Sequence, residues 1–234
     1  MDEGDESLLL RRALGRTRPE DYVSWAVDRL CRDDDTPSLR ILAGLSTRLD
    51  RAEIEPYFLL ACHELGLADT AASSSPLETA QMIRRAYDRG HVPPAEAVEM
   101  MAQVYESSGH QQELLAPWYS LREGLAWREP YYYPLSALAS VEQAVAREWS
   151  LLDRALALKL PPGWMRLTYC VQCEHVGHPR SKEPSWVVVF WSALTGRPAV
   201  SATTCERCGS TNITSLNDPE ARSLYLARLH GQAN

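Results

Sequence analysis

Two pairs of cysteines with the same spacing constrain this chain of 234 residues more than any other feature. Cys170 and Cys173 form one Cys-x-x-Cys pair, and Cys205 and Cys208 form the other, with residues 174–204 between them. Two cysteines that flank a tight turn direct both sulfurs toward one point, and two such turns supply four ligands at the corners of a tetrahedron. The sequence therefore predicts one structural Zn²⁺ bound by these four thiolates.

The surroundings of the cysteines resemble the knuckles of zinc-ribbon proteins over roughly the last third of the chain. Gly209 follows the second pair, where a glycine relieves the backbone as amide groups turn toward sulfur, and Glu174 takes the same place after the first pair. The resemblance implies a small β domain whose folding depends on the metal. Because four cysteines fill the coordination shell, no position is left open for a catalytic water.

Three other interpretations of the cysteines stay open at the level of sequence. A rubredoxin-like iron site uses nearly the same spacing, although the proline and aromatic neighbours typical of its knuckles are missing here. A redox dithiol needs only one pair and usually opens a helix after a strand, which neither pair does. His175 and His178 follow the first pair closely enough to replace a ligand, but four thiolates already complete the shell, which favours loop positions beside the metal.

The residues between the two pairs have the composition of a β-hairpin. Ser185–Ser192 is rich in β-branched and aromatic residues, residues 195–198 carry turn signals, and Ala199–Thr204 is predicted as the second strand. Residues 164–169 are a candidate for a third strand. The sequence thus predicts the hairpin and the two cysteine turns as one zinc ribbon.

Capping signals and helical spacing predict an all-α domain before the cysteines. Helix starts are marked at five places: Thr17, Thr36, Asp50, Ser75 and Pro93. In the first of these helices the spacing directs Val23 and Val27 inward. After a further helix at residues 114–123, a long helix over Leu138–Leu156 is expected to bury one continuous apolar stripe.

The predicted fold class is α plus small β. An acidic tail, residues 1–16, precedes a helical domain, residues 17–160, and Pro161-Pro162-Gly163 ends helical structure before a zinc ribbon at residues 161–216. Asp218 and Pro219 then open a last helix within residues 217–234, with Leu224, Ala227 and either Leu229 or His230 as candidates for packing. The N-terminal all-α helical bundle, the four-cysteine zinc-ribbon β domain and the C-terminal helix make up the predicted architecture.

The net charge of −7 is unevenly distributed. Residues 1–160 contain 17 basic and 26 acidic residues, a net charge of −9, whereas residues 161–216 contain 5 and 3, a net charge of +2. Wrapping nucleic acid requires a dense basic face, so the acidic helical part argues against that function. The weakly basic ribbon leaves a limited contact with a polyanion open.

Location and origin follow from composition. No stretch approaches the ~20 apolar residues of a membrane-spanning helix, and the acidic N-terminus is unlike a secretory signal. We therefore expect a cytoplasmic protein in which Cys31 and Cys62 are reduced core thiols. Nearly all basic residues are arginine, with Lys159 and Lys182 the two lysines, which is typical of GC-rich bacterial genomes.

The sequence contains no recognisable catalytic motif. Phosphate-binding glycine loops, nucleophile elbows, His-Glu-x-x-His helices and dinucleotide fingerprints are all missing. Cys62-His63-Glu64 suggests a nucleophile beside a base, but adjacent residues on a helix point in different directions. A core cysteine with two solvated neighbours is the favoured interpretation, and a non-enzymatic protein is expected.

Part of the helical region resembles a widespread, uncharacterised bacterial helical family. The likeness is carried by Tyr22-x-x-Trp25-Ala26, by residues 36–45, by Ile54-x-x-Tyr57-Phe58 and by residues 86–105. It covers residues 20–155, and the ribbon is a departure from the family pattern. The resemblance implies a helical fold and no active site.

Two functional hypotheses follow. The first is a zinc-binding bacterial protein that acts through protein–protein interaction, in defence or toxin neutralisation, because an acidic surface can cover the basic cleft of a nuclease. The second is a nucleic-acid-associated regulator that uses the arginines and the lysine of the ribbon: Arg166, Arg180, Lys182, Arg197 and Arg207.

Overall fold

The computed structural model describes residues 3–67, 75–127, 133, 140–182, 190 and 202–233. The chain forms two compact units, Met1–Ser108 and Gly109–Asn234. The division falls inside the predicted helical domain, because the helices after residue 108 and the short strands around the cysteines belong to one unit. Helices that precede small antiparallel strands and a final helix confirm the predicted α plus small β class.

In its described residues, the first unit consists of α-helices joined by short loops. The three helices that follow Thr36, Asp50 and Ser75 begin where the sequence predicts them. Asp50 accepts from the Glu53 N–H while Glu53 accepts from the Asp50 N–H, both at 2.9 Å, and Ser75 with Glu78 repeats this reciprocal cap. The helices are α1 Glu3–Ala13, α2 Pro19–Leu30, α3 Pro37–Gly44, α4 Arg51–Glu64, α5 Pro76–Asp88 and α6 Pro94–Ser107.

Residues 1–16 differ from the predicted acidic tail, because they contain α1. Its leucines Leu8, Leu9 and Leu10 are all buried. Asp5 is buried as well, where its carboxylate accepts from Trp25 Nε1 at 2.9 Å and pairs with the Arg29 guanidinium. The acidic composition suggested a solvated segment, but a cation from α2 compensates the buried charge of Asp5.

Helix α2 starts one residue later than predicted. The Thr17 hydroxyl bonds the Tyr22 hydroxyl at 2.9 Å instead of capping the helix. Arg18 is the capping residue, and its N–H donates to the Asp21 carboxylate at 2.8 Å. Because Pro19 has no N–H to donate, the helix loses nothing by beginning there.

The buried face of α2 also differs from the prediction. Val27, predicted inward, is 43% exposed, whereas Tyr22, Trp25 and Ala26 are buried. Cys31, predicted to be a core thiol, is exposed at the end of the helix. The rings of Tyr22 and Trp25 lie 4.9 and 5.1 Å from the Phe58 ring of α4, measured between centroids. Large aromatic rings bury more area than valines, so contact with Phe58 sets the orientation of the helix.

In its described residues, the second unit combines three α-helices, two 3₁₀ turns and five short strands. The predicted long helix begins at Val141, where the Ser140 hydroxyl accepts from the Gln143 N–H, and Leu138 lies outside the described residues. The elements are a 3₁₀ turn Glu113–Leu115, α7 Ala116–Trp127, α8 Val141–Leu156, a 3₁₀ turn Trp164–Arg166, β1 Thr168–Cys170, β2 Val176–Gly177, β3 Arg180–Lys182, β4 Ala202–Thr204, β5 Ile213–Ser215 and α9 Pro219–Ala233.

The strands form two small antiparallel sheets. Strand β1 is central in the sheet β2-β1-β5, with Tyr169 opposite Val176 on one side and Thr214 on the other. Strand β3 pairs with β4, with Arg180 opposite Thr204. Since the first cysteine turn leaves from β1 and the second from β4, each turn starts from a hydrogen-bonded strand.

The predicted hairpin is confirmed only in part. Ala202–Thr204 is a strand as expected, but its described partner is β3, not the predicted strand Ser185–Ser192. That segment and the predicted turn, residues 195–198, lie outside the described residues except for Phe190, which has helical backbone and is 57% exposed. The predicted strand at residues 164–169 begins as a 3₁₀ turn after Gly163, at φ +76°, and becomes β1 at Thr168.

A hydrophobic core joins the strands to α9. The Trp164 and Tyr225 rings stack with centroids 6.3 Å apart, and the buried residues of this cluster are Trp164, Met165, Tyr169, Leu216, Ala221 and Tyr225. The buried face of α9 therefore differs in part from the predicted one, because Leu224 is 52% exposed whereas Leu229 packs against this cluster. Leu226 of α9 packs with Leu151 and Ala155 of α8, so α9 contacts both the strands and the preceding helix.

A buried ion pair joins α8 and α9. Arg222 pairs with Glu148, each side chain is 2% exposed, and the Tyr133 hydroxyl donates to Glu148 at 2.6 Å. Gly124 makes room for Tyr133, because a Cβ at position 124 would lie 2.9 Å from the Tyr133 Cβ. Removing one partner of such a pair leaves an uncompensated buried charge, at a cost of about 3–5 kcal/mol.

No described helix combines the length and the apolar character that crossing a membrane requires.

Candidate metal centre

The first knuckle, residues 170–175, is a tight turn closed by two backbone hydrogen bonds. The Cys170 N–H donates to the His175 carbonyl at 2.9 Å, and the Glu174 N–H donates to the Cys170 carbonyl at 2.8 Å. Glu174 has φ +56°, in the left-handed region. The turn therefore folds back on its first cysteine and brings Cys173 near it.

The second knuckle, residues 205–210, repeats this pattern. The Cys205 N–H donates to the Ser210 carbonyl at 2.8 Å, and the Gly209 N–H donates to the Cys205 carbonyl at 2.9 Å. Gly209 has φ +73° and occupies the position that Glu174 occupies in the first knuckle. The glycine singled out by the sequence thus lies where a left-handed conformation is required.

The four predicted ligand atoms come together. Sulfur atoms of different knuckles lie 3.6 Å apart for Cys170 and Cys208 and 3.7 Å apart for Cys173 and Cys205, and all four lie within 4.8 Å of one another. A disulfide would bring two sulfurs to about 2.05 Å, so these are separate thiols. With a Zn–S distance of about 2.3 Å, the edge of a ZnS₄ tetrahedron is about 3.8 Å, which fits the observed spacing.

The surroundings of the sulfurs favour thiolates on some cysteines and oppose them on others. Burial disfavours the Cys170 thiolate, but N–H groups of Cys173 and Gln172 outweigh it and lower its pKa to about 7. The N–H of Cys208 lowers the pKa of Cys205. For Cys173, the His175 N–H favours the thiolate, but burial and the neighbouring sulfurs outweigh it and raise the pKa to about 12. Like charges this close need a cation among them, so the donor set fits a metal ion.

Neither histidine of the first loop belongs to this cluster of ligand atoms. His175 Nε2 lies 2.8 Å from Glu206 Oε1, which joins the first knuckle to the second. The bond holds the pKa of Glu206 below its ordinary value. His178 is exposed. The cluster of ligand atoms among the described residues therefore consists of the four cysteine sulfurs.

Helix α9 also reaches the first knuckle. Arg228 donates to the Glu174 carbonyl at 2.5 Å. Tyr169 lies close enough to Glu174, Arg228 and the first two cysteines for their charges to influence it, although burial is the main cause of its raised pKa. Helix α9 therefore supports the backbone of the first knuckle through this hydrogen bond.

The sequence signalled some of these residues and missed others. His175 and Glu206 stand within a few positions of the cysteines, which placed them near the metal but did not reveal the bond between them. Arg228 gave no signal, because it is 54 residues from Glu174. The remaining candidate, Cys62-His63-Glu64, assembles no site: burial raises the Cys62 pKa to about 12, and Glu64 instead accepts from Ser38 of α3.

No family model, curated protein or solved structure matches this chain. The resemblance of residues 20–155 to a bacterial helical family therefore stays a prediction. The geometry of the chain itself, with four cysteine sulfurs at metal-binding distance, indicates a site that can hold a metal ion.

Proposed function

We propose that this chain binds one Zn²⁺ through Cys170, Cys173, Cys205 and Cys208 and acts, without catalysis, through contacts with another protein. The proposal is carried by one observation, the four sulfurs within 4.8 Å of one another on two matching knuckles. Four thiolates at tetrahedral spacing suit zinc and leave no open coordination position. The metal then orders the strands and has no substrate.

The role of the metal follows from the small core around it. The strands are two or three residues long in the part of the chain that the structure describes, and their apolar core depends on α9 and on the 3₁₀ turn at Trp164–Arg166. Such short strands bury little area, so binding energy from the metal supplies folding energy. Zinc therefore sets the shape of the surface that this region presents.

Metal analysis of the purified chain tests the first part of the proposal. One zinc per chain, lost together in Cys170→Ser and Cys205→Ser, supports it. Stoichiometric iron with the colour of an iron–thiolate site would show that the bound metal is iron and not zinc. A chain with no tightly bound metal would overturn the proposal.

The interaction role is supported by the charge of the first unit. Residues 1–108 contain 20 acidic and 12 basic residues, a net charge of −8, whereas residues 109–234 contain 11 and 12, a net charge of +1. An acidic surface attracts a basic partner and speeds their association. We propose that the partner of the first unit is a basic protein, such as a nuclease toxin.

Co-purification and growth test this part. The tagged chain should recover a basic protein in stoichiometric amount, and the complex should weaken as salt concentration rises. Deleting the gene beside a neighbouring toxin gene should impair growth. Recovery of the chain alone, together with unchanged growth, would contradict the defence role.

A nucleic-acid regulator is the second candidate. It is favoured by the exposure of three arginines in the cysteine-bearing region: Arg166, Arg180 and Arg207. A gel shift that weakens steeply with salt would support it, because phosphate binding releases counterions. No shift at low salt would remove it.

A further inference from the structure

Two side chains outside the ligand set connect the knuckles. His175 Nε2 lies 2.8 Å from Glu206 Oε1, and Glu206 lies between the two cysteines of the second knuckle. His175 also belongs to the first knuckle by its backbone, because its carbonyl accepts from the Cys170 N–H and its own N–H points at the Cys173 sulfur. The hydrogen bond therefore joins two residues whose backbones are tied to metal-ligand cysteines.

The space for this pair depends on Gly177. A Cβ at position 177 would overlap the Glu206 carboxylate and lie 2.7 Å from His175 Nε2. Gly177 does not have a left-handed backbone, so its conformation does not require glycine. What an alanine would displace is the two side-chain ends of the bridge.

We propose that the His175–Glu206 hydrogen bond positions the two knuckles and slows the loss of the bound metal. The inference rests on the proposed zinc site. Metal loss requires the knuckles to separate, since each supplies two sulfurs, and separation must also break this bond. Residues behind the ligands tune metal affinity in this way in many metal sites.

The size of the effect follows from exposure. The His175 and Glu206 side chains are 29% and 35% exposed, so water competes for the same hydrogen bonds. A single partly exposed bond is worth about a threefold to tenfold change in affinity, well below the effect of a lost ligand. The carboxylate charge of Glu206 also attracts a cation by itself, so the test must separate charge from hydrogen bonding.

The experiment measures the zinc affinity of the full-length chain by competition with a chromophoric chelator. It also measures the rate at which zinc is transferred from the chain to the chelator. Breaking the bridge in three ways, with His175→Ala, Glu206→Ala and Gly177→Ala, should each weaken affinity about threefold to tenfold through faster release. Glu206→Gln keeps an acceptor oxygen without the charge and should stay within about twofold of the original chain. The matched control Val171→Ala, at an exposed position between the two cysteines of the first knuckle, should also stay within about twofold.

The double variant separates a shared bond from two independent effects. His175→Ala with Glu206→Ala should lose no more than the larger single loss, because one bond cannot be removed twice. Release at the original rate in all three single variants, multiplied losses in the double variant, or a Glu206→Gln loss as large as that of Glu206→Ala would overturn the inference. Zinc binding with unchanged release would overturn this inference alone, whereas a chain that takes up no zinc would overturn the proposed function with it.

Discussion

The two knuckles share one backbone and differ in the residue at its most demanding position. Each closes with the same pair of hydrogen bonds, at 2.8 and 2.9 Å. The left-handed residue is Gly209 in the second knuckle and Glu174 in the first. Metal-binding geometry is therefore set by the backbone hydrogen bonds, and the side chain at the turn changes only the cost of forming them.

The left-handed backbone of Glu174 in the first knuckle is stabilised by contacts from outside the turn. Arg228 of α9 donates to the Glu174 carbonyl, and the second knuckle has no described counterpart of this contact. The first knuckle also continues from the central strand of a sheet. One knuckle thus relies on a favourable residue, and the other on its neighbours.

The largest expected effect comes from the removal of one cysteine ligand from either knuckle. Cys170→Ser and Cys205→Ser remove equivalent ligands, so each should lower zinc affinity by at least 100-fold, on the order of 3 kcal/mol or more. Chelator competition measures both. Cys62→Ser, which removes a buried thiol of the first unit, is the control and should leave zinc affinity unchanged. Retained affinity in either knuckle variant would show that its cysteine is not a ligand.

The second prediction concerns the glycine of the second knuckle. Gly209→Ala should destabilise the zinc-bound chain by about 1–2 kcal/mol, because a Cβ disfavours the left-handed conformation. No atom lies within 4 Å of the added Cβ, so backbone strain alone is measured. Denaturant unfolding reports the change. The control Gly231→Ala, in helix α9 with equal space, should not destabilise, and an equal loss at both positions would contradict the assignment.

The third prediction concerns Glu174, the left-handed residue of the first knuckle. Glu174→Gly should stabilise the zinc-bound chain by about 0.5–1 kcal/mol, because relief of the left-handed strain exceeds the extra entropy of glycine in the unfolded chain. Glu174→Ala keeps the strain and should give no such gain. Loss of stability in Glu174→Gly, measured by the same unfolding transition, would show that the carboxylate has a role of its own.

The smallest effect is expected at the contact that supports the first knuckle. Arg228→Ala should cost about 0.5 kcal/mol of unfolding free energy, at the low end for one hydrogen bond, since its donor is exposed to water. The loss should be seen in zinc release as well as in unfolding, because the bond ends on a knuckle residue. A loss of unfolding stability with unchanged zinc release would place Arg228 in the packing of α9 alone.

Local signals explain what the sequence predicted correctly. The caps at Asp50 and Ser75 involve residues three positions apart, and the two cysteine turns are equally local, so pattern alone located them. The meeting of the two turns was also predictable, because a metal needs four ligands and each turn supplies two.

Contacts between residues that are far apart along the chain explain what the sequence did not predict. The buried face of α2 is determined by contact with Phe58, which follows Trp25 by 33 positions. Strand β4 pairs with a strand that the composition did not indicate. The buried Glu148–Arg222 pair contradicts the usual exposure of charged residues and joins positions 74 apart. Periodicity cannot signal such pairs, since each partner alone has the pattern of a solvated residue.

Titration of the metal-free chain with Co²⁺ distinguishes a site of four thiolates from a site with other ligands. A tetrahedral site with four thiolates gives intense visible bands and a sulfur-to-cobalt charge-transfer band, and both should saturate at one equivalent and disappear when one equivalent of Zn²⁺ is added. Weak bands typical of oxygen ligands, or no saturation at one equivalent, would contradict a four-cysteine metal centre.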